Sequence, residues 1–358
     1  VATNVVVLTG DETGQELLEE ALRVLDPSVT RCDLTFETFD LSLENRRATQ
    51  NQVVFAAAER LKQVGLGIKA ATITPGNPDD VGSPNALLRD AIGGQVILRT
   101  GRRIPSVRPL AGVHAPIAVV RMAVDGSYNA EEWREGEGLD EIAYSKQKIT
   151  RRTCRVVAEF TFQYARRTGS KVFGGPKYTV SPLYEGMFQE ELVAASQRYP
   201  DVRYDPQLID ATYALLLETS GESLVIPALN RDGDSMSDLV LKMFGTIAGA
   251  ESVILSFDEN FQVKIALTEA PHGTAPSLKG KNVANPMAMI LAGAAMLRYV
   301  PGDAAAKASR AIYESVMEAV YDGVKTTDLY GGASTTEFTD EVIRRVKGKL
   351  EVWDALGG

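Results

Sequence analysis

The stretch Val5-Val6-Val7-Leu8-Thr9-Gly10-Asp11-Glu12-Thr13-Gly14 decides the fold class. Four consecutive apolar residues, three of them β-branched, suit a strand buried on both faces. A polar turn bounded by Gly10 and Gly14 follows, and from residue 16 the period changes. Leu17, Leu18, Ala21, Leu22 and Leu25 recur at the spacing of one helical face. Strand, glycine turn and helix make a βα unit, and Leu34-Thr35-Phe36-Glu37-Thr38-Phe39 supplies the next strand. Further along, helical patterns cover residues 53–64, 153–166, 188–197, 287–300, 304–324 and 339–349. Between them lie strand-like runs at 67–75, 171–173 and 224–229, and a hairpin-like pair at 253–255 and 263–266. Such alternation predicts an α/β protein. Gly10 and Gly14 match neither the dinucleotide fingerprint nor a P-loop. A nicotinamide cofactor would therefore be held by something other than a Rossmann fold.

Composition narrows the possibilities. At 358 residues the chain is long enough for two domains. It is 44% hydrophobic and 24% charged, the proportions of a soluble globular protein. A net charge of −9 argues against a nucleic-acid partner, which would require a basic footprint. The most apolar later stretch, 287–297, is too short to span a bilayer, so no membrane partner is expected. Cys32 and Cys154 are the only cysteines, which predicts no disulfide framework and a reducing, cytoplasmic setting. With only His114 and His272 available, any metal should be held by carboxylates.

Two clusters invite a chemical reading. After the apolar run 224–229 comes Asn230-Arg231-Asp232-Gly233-Asp234-Ser235-Met236-Ser237-Asp238, with a helix expected from Leu239. On a helical turn Asp234 and Asp238 share a face. Alone, the stretch reads first as a solvated turn whose Asp residues complement a helix N-terminus, and only second as oxygen ligands for a hard divalent cation. The second cluster is Arg89, Arg99, Arg102, Arg103, Arg108 and Arg121, six arginines in an acidic chain. Solvation explains Arg102 and Arg103. Arg89, Arg99 and Arg121 each close an apolar run, and their planar forks suit carboxylates.

These residues resemble the isocitrate and isopropylmalate dehydrogenase family of metal-dependent decarboxylating dehydrogenases, over nearly the whole chain. Gly10-Asp11-Glu12-Thr13-Gly14-Gln15-Glu16 is similar to the family's opening turn, and Thr326-Thr327-Asp328-Leu329 to a late segment. The isocitrate branch fits best: Ser83, Asn85, Arg89, Arg99 and Arg121 match its tricarboxylate motif. The resemblance implies Tyr128 and Lys177 as catalytic residues, Thr74 as a further substrate contact, and Asp210, Asp234 and Asp238 as ligands of Mg²⁺ or Mn²⁺. It implies a large coenzyme domain (1–92 and 245–358), a small domain (93–125 and 151–244) and a clasp (126–150). It also implies a homodimer in which Lys177 and Asp210 reach into the partner's site.

For the coenzyme, the resemblance implies Thr72, Glu269, His272, Gly273, Thr274, Ala275, Ser277, Leu278 and Asn285. NADP-specific relatives place cations where this chain has Ser277, Leu278, Glu218 and Asp79. A carboxylate about 4 Å from a 2′-phosphate costs roughly 4 kcal/mol at an effective dielectric near 20, which favours NAD. The implied activity is oxidative decarboxylation of isocitrate or a close analogue, a small anionic hydroxy acid. Ser83 and Asn85 would also accept a phosphonate arm, with Arg102, Arg103 and Arg108 in support, so phosphonomethyl-malate is an alternative. Homoisocitrate and isopropylmalate are others. A non-catalytic regulatory subunit would lack the lysine, the tyrosine or a metal carboxylate, and this chain has them all.

Overall fold

The computed structural model describes residues 2–77, 79–218 and 221–357. Twelve strands are described: β1 (Thr3–Thr9), β2 (Leu34–Asp40), β3 (Leu66–Lys69), β4 (Val96–Gly101), β5 (Ile117–Met122), β6 (Glu131–Glu135), β7 (Ile142–Lys146), β8 (Lys171–Phe173), β9 (Tyr204–Asp205), β10 (Leu224–Ala228), β11 (Ser252–Phe257) and β12 (Val263–Glu269). Ten of them form one sheet in the order β2-β1-β3-β12-β11-β4-β5-β10-β8-β9. Its two outer parts are parallel, while the ladders β12–β11, β11–β4 and β4–β5 are antiparallel. The fold is α/β, as expected, and the turn after β1 carries no dinucleotide fingerprint.

Parallel strands need helices on both faces, and this requirement organises the core. Val5 and Val7 pack with helices Glu12–Leu25, Met287–Leu297, Asp303–Tyr321 and Thr335–Ala355. Val6 and Leu8, one residue out of phase, pack with helix Gln52–Val64 on the other face. Helix Met287–Leu297 is buried along its whole length, which explains an apolar stretch that spans no membrane. No helix among the described residues is long and apolar enough to cross one. The β11–β4 pairing joins the implied large and small domains. One apolar cluster runs across that seam, with Val253 and Leu255 beside Leu98 and Phe160.

Several elements differ from the sequence reading. The helix expected from Leu239 already begins at Asn230 and runs to Met243, because Gly233 lets it settle against β5. The strand expected over 67–75 ends at Lys69: Asp11 N–H bonds the Ala71 carbonyl and Ile73 N–H bonds the Asp11 carboxylate, so this backbone is committed to the β1 turn. Residues 126–150, expected as a clasp, hold the two-stranded hairpin β6–β7, for which the sequence reading assigned no strands. Strand β4 was not anticipated. It links the two antiparallel ladders that carry the sheet across its centre.

A buried ion pair braces the seam. Arg102, just past β4, donates Nη1 and Nη2 to the Glu251 carboxylate at 2.5 and 2.7 Å, and Tyr313 Oη donates to it at 2.8 Å. Burial pushes the Glu251 pKa up, but Arg102 overrides it and holds the group below its ordinary value. Breaking such a pair leaves a buried charge uncompensated. Glu251→Ala should therefore lower unfolding stability by about 3–5 kcal/mol, read from urea denaturation.

Candidate active site

Register places the first two arginines. Along the β4–β5 ladder Ile97 faces Arg121 and Val119 faces Arg99, so both arginines project from one face of the sheet. Helix Asn230–Met243 lies over them, and Gly233 makes the approach possible. A Cβ there would sit 2.7 Å from the Arg121 Cβ.

Arg121 is buried and fully engaged. Its Nε and Nη2 donate to Asn230 Oδ1 at 3.0 and 2.8 Å, and Nη1 donates to Asp234 Oδ1. Burial, together with the neighbouring Arg99 and Arg89 heads, brings its pKa down to about 10 despite Asp234. Arg99 Nη1 donates to Ser237 Oγ at 3.0 Å and reaches Asp238 Oδ1 at 3.5 Å and Asp234 Oδ1 at 3.7 Å. Arg89 Nε is buried without a hydrogen-bond partner, as is Asn85 Oδ1. Ser83 caps helix Pro84–Ala91. Tyr128 Oη donates to Asp234 Oδ2 at 2.9 Å beside the Arg121 guanidinium. Burial and then Asp234 raise the Tyr128 pKa, so the phenol stays protonated at neutral pH.

Lys177 and Asp210 form a separate pair. Lys177 Nζ donates to Asp210 Oδ2 at 2.5 Å, and that bond lowers the Asp210 pKa. Neither residue contacts Asp234 or Asp238. Within one chain, no group of three candidate ligands among the described residues could enclose a metal. The three expected carboxylates are thus divided two and one, because Asp234 faces the arginines while Asp210 faces Lys177. Asp232, on the same helix, has its backbone carbonyl bonded by Tyr213 Oη at 3.2 Å, and burial raises its carboxyl pKa.

The chemistry of the donors still suits a hard cation. Asp238 is exposed, shares the helix face of Asp234 and leaves oxygen free for a metal that asks for only one or two carboxylates. The expectation for Arg102 is corrected. It is consumed by Glu251 and cannot support a second charge on the substrate, while Arg103 is exposed and its Nη1 reaches the Val113 carbonyl at 3.4 Å.

The implied coenzyme residues lie on the segment after β12 and on the segment after β3. His272 Nδ1 meets the Gly273 carbonyl at 2.9 Å, its Nε2 is buried without a partner, and burial keeps the ring neutral. Ala275 is left-handed at φ 45°, and its carbonyl accepts from Thr13 Oγ1 at 2.8 Å. Gly273, Thr274, Ser277 and Leu278 flank it, with Ser277 and Leu278 on the turn Pro276–Leu278. Asn285 Nδ2 donates to Asp328 Oδ2 at 3.0 Å. Buried Lys69, absent from the sequence reading, donates to Thr72 Oγ1 at 3.2 Å and lies 3.6 Å from Glu269 Oε2, joining two implied coenzyme residues. An apolar-flanked lysine at a strand end was the available signal. Asn230, which orients Arg121, had none.

Three neighbouring arginines beside acidic oxygens and a phenol, on a non-Rossmann α/β sheet, make this the candidate site. The model for isocitrate/isopropylmalate dehydrogenase matches residues 4–342. The chain is 30% identical to 3-isopropylmalate dehydrogenase of Methanothermobacter thermautotrophicus, covering 96% of this chain and 98% of that one. It is 30% identical to the decarboxylating D-malate dehydrogenase of Escherichia coli K12, with 95% and 97% covered. The crystal structure of isocitrate dehydrogenase from Methylococcus capsulatus superposes at a TM-score of 0.83 over 96% of this chain and 99% of that one, at 24% identity, a likeness of fold. The chain belongs to the isocitrate/isopropylmalate dehydrogenase family, whose members are metal-dependent decarboxylating dehydrogenases that use NAD or NADP.

A methyl group at position 233 has no room beside Arg121. Gly233→Ala should cost about 1–3 kcal/mol of stability as an overpacked contact, measured by denaturant unfolding; an unchanged midpoint would refute the close approach.

Proposed function

We propose that this chain catalyses the NAD-dependent oxidative decarboxylation of isocitrate or a close analogue. One observation carries the reading: Arg89 and Arg99 neighbour Arg121, and the Arg89 Nε donor is buried and unpaired. Buried polar atoms without partners are costly, and a polyanionic substrate supplies acceptors for the arginine heads. In this reading the three arginines clamp the substrate's α- and β-carboxylates, with Thr74 beside them, while Ser83 and Asn85 meet the far arm. Lys177 removes the proton from the substrate hydroxyl. Tyr128, a phenol that is protonated at neutral pH and bonded to Asp234, returns a proton to carbon after CO₂ leaves.

Asp234 and Asp238 would hold the divalent ion, which when bound chelates the α-carboxylate and hydroxyl and lowers the hydroxyl pKa. Thr72, Glu269, His272, Asn285 and the turn around Ala275 would hold the coenzyme, with NAD as hydride acceptor. The two-domain division, with its boundaries at 92/93 and 244/245, belongs to the same reading.

The third carboxylate and the lysine come from a second copy. Two facts support this: Lys177 and Asp210 stand apart from Asp234, and hairpin β6–β7 is exposed along its length. Its Trp133 and Tyr144 rings stack at 4.9 Å, yet a two-stranded hairpin without further packing is only marginally stable in water. A clasp around a second copy would bury it.

Lys177→Met should abolish turnover while leaving metal–substrate binding measurable by calorimetry; retained turnover sinks the assignment. Steady-state rates on isocitrate, homoisocitrate, isopropylmalate and phosphonomethyl-malate, each with NAD and NADP, identify the far arm and the coenzyme. The isocitrate–NAD pair is expected to give the highest kcat/KM. Co-expressed Asp210→Ala and Asp234→Ala chains, each inactive alone, should regain activity in hybrid dimers. Failure to do so would place the site within one chain.

A further inference from the structure

Among the described residues Arg46 is the largest side chain with no exposed surface, and it makes no ion-pair contact, though the Asp11 and Asp80 charges lie near enough to act on it. It sits in the short helix Leu43–Ala48, and all of its hydrogen bonds go to backbone carbonyls. Nε donates to Leu41 O at 3.0 Å, Nη1 to Gly82 O at 3.3 Å and Nη2 to Ile73 O at 2.5 Å. Ile73 and Gly82 are the two ends of one segment, so a single guanidinium grips both.

The surroundings strengthen that grip. Asp11 accepts from Ile73 N–H at 2.8 Å and from Leu43 N–H at 2.8 Å, tying the same corner to the same helix. Asn51 Nδ2 donates to Val81 O at 2.7 Å, and Arg47 pairs with Asp80 at 2.6 Å. The segment so held carries Thr74 and runs directly into Ser83 and Asn85. Burying a cation away from contact with an anion is expensive, so an arginine that spends its donors on one loop's carbonyls points to a demand for geometry. The planar fork spreads its donors over three nitrogens and so reaches three separated carbonyls; a lysine's three donors radiate from one nitrogen and do not span them.

We propose that Arg46 is a positioning residue: it holds segment 73–82 so that Thr74, Ser83 and Asn85 are presented to the far arm of the substrate. The inference rests on the role given above to those three residues. Arg46 itself, sealed from solvent, does not touch the substrate.

Arg46→Lys keeps the charge and loses the fork. It should raise the KM for the hydroxy acid about tenfold or more, since small misplacements of positioning groups are costly. The KM for NAD should stay within about twofold and kcat within about threefold, in assays of the intact enzyme. A fall in melting temperature with an unchanged substrate KM would make Arg46 merely structural and overturn the proposal. Lys62→Ala, which breaks an exposed pair with Glu59 on a helix away from this segment, is the control that should leave substrate KM unmoved. Should Arg46→Lys not fold, Asp11→Asn keeps the arginine fork, loosens the Ile73 corner and removes the nearby charge that supports the cation. The same rise is expected there, and an unmoved KM refutes the proposal. A Ser83→Ala, Asn85→Ala double variant separates the two levels. If it raises substrate KM and Arg46→Lys does not, the role of Arg46 fails alone. If it too leaves KM unmoved, the far-arm assignment fails with it.

Discussion

A buried guanidinium has to be neutralised, and the way Arg121 meets that demand shapes the centre of this molecule. Left unpaired, a charge in its position would cost several kcal/mol, so the structure brings Asn230 and Asp234 onto it from the start of one helix. That helix can come close enough only because residue 233 has no side chain. Once Asp234 is committed to Arg121, its second oxygen is left facing Tyr128, and Arg99 is drawn to the same carboxylate. Three arginines against two carboxylates, Asp234 and Asp238, leave a local excess of positive charge inside a chain whose net charge is −9. Such a place is built for an anion.

The same commitment accounts for what a single chain does not do. Asp234 and Asp238 present oxygen on one helix face, while Asp210 spends its charge on Lys177 at the start of helix Ile209–Leu216. The family to which the chain belongs and the exposed, ring-stacked hairpin β6–β7 are both consistent with completion by a second copy, as proposed above. Around the clamp the scaffold is stiffened by buried polar groups of a different kind. Glu251 with Arg102 and Tyr313 braces the β4–β11 seam, Lys69 joins Thr72 to Glu269, and Arg46 grips the segment between β3 and helix Pro84–Ala91. Each sits where the backbone leaves regular structure and its carbonyls need donors.

Strands and helices with strong periodicity were legible in the chain itself: Val5–Leu8, the helix after Gly14, and the apolar stretch from Met287 all have the character their pattern predicts. The weaker readings failed for identifiable reasons. Residues 70–75 have strand-like composition, but their hydrogen bonds are taken by Asp11 and the β1 turn. Val96–Gly101 carries too short an apolar run to announce a strand, and gains its place from ladders on both sides. Arg102 looked like a member of the substrate's arginine cluster because sequence spacing says nothing of sheet faces. It ends bonded to Glu251, away from Arg121.

By itself, the order of residues determined the α/β class and the absence of a Rossmann fingerprint, because periodicity and motif spacing are local properties of the chain, and it carried the motifs that resemble the family. It also marked Arg89, Arg99, Arg121, Asp234 and Asp238 as chemically unusual. Tertiary structure alone decided which of them meet. Asp234 lies between Arg121 and Tyr128 because a parallel strand, an antiparallel partner and a helix converge there, at separations of more than a hundred residues. The roles of Asn230, Lys69 and Arg46 belong to that second level, since each is defined by bonds to groups distant in sequence.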